Sequence, residues 1–96
     1  MCGNNNYTVV LSSRARKMAR QLPGHVRPRL DSLCRDLLEK GPVQKDWMNY
    51  SSFCRGNYHC HLGWKWAVCW RYEKKTGEIE IYYVGSRESA PCDGRG

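Results

Sequence analysis

Between residues 26 and 38 the apolar side chains fall at Val26, Leu30, Leu33, Cys34, Leu37 and Leu38. Steps of four, three, one, three and one put all six on one side of an α-helix, whose repeat is about 3.6 residues. A strand cannot gather them, because successive strand residues face opposite ways. A helix is therefore expected from about His25 to Lys40. Pro28 fits only in its first turn, where a backbone N–H has no helical partner to lose. Gly41-Pro42 ends it, since glycine caps a helix and proline cannot continue one. A helix with one apolar side needs a surface to cover, and the rest of the chain has to supply it.

Upstream, Pro23-Gly24 separates this helix from an earlier one. Ser12 or Ser13 offers an N-cap, after which Ala15, Met18, Ala19 and Leu22 recur at helical spacing. Two helices joined by so short a break form an antiparallel hairpin, with their apolar sides on one common surface. The other side of the first helix carries Arg14, Arg16, Lys17 and Arg20 with no acidic residue among them. Like charges at these spacings repel. The face is either simply solvated or kept for a phosphate backbone or an acidic partner. Before it, Tyr7 to Leu11 is rich in β-branched residues and reads as a strand.

Downstream, Val43 to Asn57 is mixed, and Trp47, Tyr50 and Phe53 fit either a short strand or a packed loop. Three strands then follow, at Tyr58 to Leu62, Trp66 to Tyr72 and Glu78 to Val84, joined by polar turns. Trp66, Val68, Trp70 and Tyr72 share one face of the second, with Ala67, Cys69 and Arg71 on the other. In the third, Ile79, Ile81 and Tyr83 alternate against Glu80 and Tyr82. The expected fold is α+β, in the order β-α-α-β-β-β with one further strand as an option. An N-terminal strand is followed by a two-helix antiparallel hairpin packed on one face of a small, mainly antiparallel sheet. The other face is left to bind something. Ninety-six residues make one domain, spanning 1–96, with 1–6 and 93–96 reading as frayed tails.

The formal charge is +7, from 16 lysines and arginines against 9 acids. Such a balance favours polyanions: nucleic acid, an acidic protein or an anionic surface. No stretch is apolar enough to span a bilayer, and residues 1–7 show no secretory signal. A cytoplasmic protein with no membrane partner is expected. A reducing compartment makes Cys34, Cys60 and Cys69 small buried apolar residues rather than a disulfide framework, with Cys2 and Cys92 exposed near the ends.

The chemistry-bearing stretch is Tyr58-His59-Cys60-His61-Leu62. On a strand His59 and His61 share a face and Cys60 takes the other. Catalysis, metal binding and mere surface polarity are all open to such a pair. Zinc is disfavoured because Cys60 points away from both histidines and no Cys-x-x-Cys occurs, so neither metal nor other cofactor is expected. The pairing of the next strand decides which cations join the histidines. If His61 lies opposite Ala67, then His59, His61, Ala67, Cys69 and Arg71 share a face. A one-residue slip sets the histidines beside the tryptophans.

The order of elements, the Leu22-Pro23 helix end, the Tyr58–Leu62 stretch and Ile79-Glu80-Ile81-Tyr82-Tyr83-Val84-Gly85-Ser86-Arg87-Glu88 together resemble the RelE-type toxins of bacterial toxin–antitoxin modules, within the RelE/ParE superfamily. The resemblance runs from about Tyr7 to Cys92. It implies a toxin that enters the ribosome and cuts translated mRNA through the ribose 2′-hydroxyl without metal, held inactive by an acidic antitoxin. It also implies basic residues on the open sheet face and just after the last strand. His59 and His61 stand at such strand positions, and Arg87 matches the arginine after the final strand. Two features depart from the pattern. The arginine that often opens the second meander strand is replaced by Trp66 and Ala67, with Lys65 beside them. Cys92 and Asp93 stand where a tyrosine often follows. The related ParE-type toxins act on DNA gyrase without cutting RNA, and a copy of the fold that only binds is the other alternative.

Cleavage through a 2′-hydroxyl needs a base, an acid and cations for the charge on the phosphorane. His59 and His61 suit the proton transfers near neutral pH. Arg87 and Lys65 suit the phosphorane oxygens. Arg71, Arg14, Arg16, Lys17 and Arg20 are candidate RNA contacts, with Trp64 and Tyr82 as bases' stacking partners.

Overall fold

A computed structural model of the chain describes residues 7–53 and 56–90. The expected frayed tails, Cys2, Cys92 and Asp93 lie outside the described residues. The order is β1 (Thr8–Leu11), α1 (Ser13–Arg20), α2 (Arg27–Lys40), β2 (Ser51–Phe53), β3 (Asn57–His61), β4 (Trp66–Glu73) and β5 (Glu78–Ser86), followed by a short 3-10 turn at Arg87–Ser89. The optional extra strand is thus β2. The strands form one sheet in the order β1-β5-β4-β3-β2. β1 runs parallel to β5, and every other pair is antiparallel. This is the expected α+β architecture.

Local chemistry sets the helix ends. The Ser12 hydroxyl accepts from the Ala15 N–H at 3.1 Å and caps α1. α2 starts two residues later than its periodicity predicts, because Pro23 to Val26 close a turn of their own. The N–H groups of Val26 and Arg27 both donate to the Pro23 carbonyl, at 2.9 and 3.2 Å. At its other end Gly41 adopts φ 94°, and a Cβ there would stand 2.6 Å from the Tyr7 ring. Only glycine suits both conditions.

The stripe on α2 meets the sheet as predicted. Leu30, Leu33 and Leu37 are buried together with Cys60, Leu62, Val68, Trp70, Ile79, Ile81 and Val84. Each such aliphatic side chain contributes roughly 1.5–3 kcal/mol on burial. Trp70 is fully buried, and its indole N–H donates to the Pro42 carbonyl at 3.1 Å. α1 packs on β5 and β1. β1 ends opposite Ile81, and beyond it Met18 of α1 lies against Tyr83 and Gly85.

Two expectations are corrected. Cys69 lies opposite Tyr83 but Trp70 opposite Ile81, so Tyr82 is an extra residue in β5, a β-bulge. The bulge reverses the alternation. Tyr83 joins Cys69 instead of Ile79 and Ile81, and Val84 takes the core side opposite Val68. Cys69 is buried but is disulfide-bonded rather than a plain thiol. Cys34 and Cys60 are free. Burial pushes the Cys60 thiol up to about 12, and burial with Asp31 nearby pushes Cys34 up to about 11. No helix among the described residues is long and apolar enough to cross a membrane.

Candidate functional site

The helices cover one face of the sheet, and the histidines stand on the other. His59 pairs with Cys69, His61 with Ala67 and Asn57 with Arg71. Of the two registers open to the sequence, this one gathers His59, His61, Ala67, Cys69 and Arg71 on one face. Cys60 is fully buried on the opposite side. The two imidazoles meet edge to face with ring centroids 5.6 Å apart. Among the described residues no group of three metal-binding side chains comes together.

Four hydrogen bonds bring Lys65 and Arg87 to the histidines' end of the sheet. The turn between β3 and β4 is closed by the Leu62 N–H donating to the Trp66 carbonyl at 2.8 Å. It is tied to α2 by the Arg29 guanidinium, which donates to the Leu62 carbonyl at 3.0 Å. Across from it, the Arg87 N–H donates to the Lys65 carbonyl at 2.8 Å. The chain after β5 is fixed by the Tyr83 hydroxyl donating to the Ser86 carbonyl at 2.7 Å. Arg87 therefore opens its 3-10 turn beside Lys65.

His61, Trp64 and Arg87 line one groove of about 240 Å³ with Met48, Asn49 and Gly63. A second groove of about 490 Å³ lies next to it, lined by Trp64, Lys65, Trp66, Ser86, Arg87 and Glu88. Trp64 and Arg87 belong to both. Trp64 is 79% exposed, which leaves an apolar side chain open to solvent beside two cations. Such an indole stacks readily on a base.

Its surroundings act on the His61 ring. Burial, then His59, then Arg87 hold His61 below the ordinary histidine range. Near neutral pH it is an uncharged ring that can exchange a proton. Its Nδ1 lies 2.8 Å from Asn49 Nδ2. His59 Nδ1 lies 2.9 Å from the Ser51 hydroxyl.

Not every candidate joins the groove. Arg71 shares the histidine face but stands four residues along β4 from Ala67. It pairs with Glu80 at 3.3 Å and lies 4.6 Å from the centre of the Tyr82 ring. Tyr82 also donates to Asn57 Oδ1 at 3.3 Å. Arg14, Arg16, Lys17 and Arg20 are exposed on α1, outside the residues that line either groove. Asn49, Met48 and Ser51 were not singled out from the sequence. They lie in the segment without periodicity, and the only local sign was asparagine's ease in left-handed turns.

No family model and no curated protein sequence matches the chain. Solved structures do. The archaeal RelE from a RelE–RelB complex of Pyrococcus horikoshii OT3 superposes with a TM-score of 0.70 at 24% identity, covering 88% of this chain and 99% of that one. The isolated E. coli RelE toxin gives 0.70 at 19% identity, with 88% of each chain covered. YoeB from a Staphylococcus aureus dimer gives 0.68 at 10% identity, over 83% of this chain and 95% of that one. With its N-terminal strand, two helices and five-stranded mixed sheet, this chain has the fold of the RelE toxins.

Proposed function

We propose that the chain is the toxin of a toxin–antitoxin module and cuts translated mRNA on the ribosome, without a metal ion. Its partners on this reading are a cognate acidic antitoxin, the ribosome and mRNA, and its site of action is the cytoplasm. The observation that carries the reading is the meeting of His61, Trp64 and Arg87 in one groove, with Lys65 in the next. The RelB partners of the solved RelE chains add support for an antitoxin.

The residues suit each part of a 2′-hydroxyl cleavage. One histidine takes the 2′-hydroxyl proton as that oxygen attacks phosphorus. Arg87 and Lys65 stabilise the doubly charged phosphorane. The P–O5′ bond then breaks as the histidine protonated in the first step returns its proton to the leaving 5′-oxygen, and a 2′,3′-cyclic phosphate remains. Each proton transfer is worth roughly 10²–10⁴-fold in rate, and a fixed cationic donor on the phosphorane roughly 10²–10³-fold. Trp64 stacks on a neighbouring base.

Induced expression, with mRNA 5′ ends mapped with and without translating ribosomes, tests this. Cuts inside translated frames are expected, and they should fall by at least about 10²-fold in His61→Ala or Arg87→Ala. Growth arrest with intact mRNA would point instead to a gyrase-directed or purely binding role. Cleavage that survives when His61→Ala and Arg87→Ala are combined in one chain would place the chemistry elsewhere.

A further inference from the structure

Asn49 is the one described non-glycine residue with a positive φ, at 52°. That conformation costs most side chains about 1–2 kcal/mol, and asparagine tolerates it better than most. Its neighbour Met48 accepts from the His61 N–H through its carbonyl at 2.8 Å. The loop is thus fastened to His61 twice, once at the backbone and once at the ring, where Asn49 Nδ2 stands 2.8 Å from Nδ1. An amide nitrogen only donates. A ring nitrogen facing it has to offer a lone pair.

We propose that Asn49 is a positioning residue that holds neutral His61 as its Nε2–H tautomer. With Nδ1 occupied as an acceptor, the ring's remaining polar group is a donor. On the nuclease reading above, on which this step of the inference rests, His61 then hydrogen-bonds a phosphate oxygen and His59 takes the 2′-hydroxyl proton. His59 Nδ1 meets the Ser51 hydroxyl at 2.9 Å, and a hydroxyl can donate or accept. The titratable and charged groups acting on His61 are His59 on its own strand and Arg87 after β5. Ala67 of β4 and Asn49 of the loop, which also meet it, do not titrate. A donor on Nδ1 favours the neutral ring over the charged one, in the same direction as burial.

Long-range ¹⁵N–¹H correlation spectra of the free protein test the tautomer directly, with His61→Gln to assign the ring. At a pH where the ring is neutral, the wild type should show an unprotonated Nδ1 and a protonated Nε2. Asn49→Gly keeps the left-handed backbone at no cost and should let the two tautomers mix. Asn49→Asp should invert the pattern to Nδ1–H and raise the pH at which the ring titrates. A wild-type ring protonated on Nδ1, or variants with unchanged ring spectra, would overturn the proposal. RNA cleavage by the same proteins is read separately, and Asn49→Asp, which takes that donor from the phosphate, should lower it on the order of 10²-fold. A wild type with the expected spectrum but no cleavage would count against the nuclease reading alone.

Discussion

At the scale of the residue, His61 links stability to function. Its folded state favours the neutral ring, through burial, His59 and Arg87 in that order. In the unfolded chain the same ring titrates near 6.5. As pH falls through that value, the unfolded state takes up the proton first, so acidification favours unfolding. The protein should therefore lose stability below about pH 6.5, and His61→Gln should flatten that part of the curve. Thermal unfolding between pH 5 and 8 reads it, and a variant with an unaltered slope would show that another group is responsible. That His59 and His61 share a face was legible because a strand's two-residue repeat fixes it, whereas Arg87, which follows β5, was singled out only through the family resemblance. Asn49 was not, because its contact depends on where an aperiodic loop returns to the sheet.

At the scale of the element, the segment after α2 shows how such a loop is held. Gln44 is buried, and its amide donates to the carbonyls of Gly41 at 2.8 Å and Asp36 at 3.1 Å. The Gly41 carbonyl lies just past the helix, where the backbone leaves acceptors without helical partners. The Trp47 indole N–H reaches the Asp36 carboxylate at 2.9 Å. Tyr50 then stacks on Tyr58, with ring centroids 6.3 Å apart. Gln44→Ala removes both amide bonds from a buried place, which should cost about 1–3 kcal/mol. Urea unfolding measures it, and a loss well under 1 kcal/mol would mean that water replaces the amide. None of these bonds follows a period, so the sequence left 43–57 undivided while the α2 stripe and the β4 alternation could be read directly. The bulge at Tyr82 was hidden for a related reason. The run Ile79-Glu80-Ile81-Tyr82-Tyr83 alternates without a break in sequence, and only pairing with β4 exposes the extra residue.

At the scale of the whole molecule, the +7 charge is spread over more than one surface. Arg87 and Lys65 stand at the grooves, while Arg14, Arg16, Lys17 and Arg20 are exposed on α1. Salt separates their roles. Each phosphate neutralised on a single strand contributes about 0.7 to the slope of log affinity against log salt. Replacing Arg16, Lys17 and Arg20 together by glutamine should flatten that slope by up to about 2 if α1 lies on RNA. An unchanged slope, with weaker hold on an acidic protein partner, would assign the face to that partner. Strand order carries a separate consequence for synthesis. β5 lies inside the sheet between β1 and β4, yet it is the last of the described strands to be made. A nascent chain that has emerged only as far as Gly77 holds β1 and β4 with no strand between them. Arg87 follows β5 directly, so the groove it shares with His61 is finished after the sheet's interior. Vectorial synthesis thus delays the assembly of the site until nearly all of the described chain has left the ribosome.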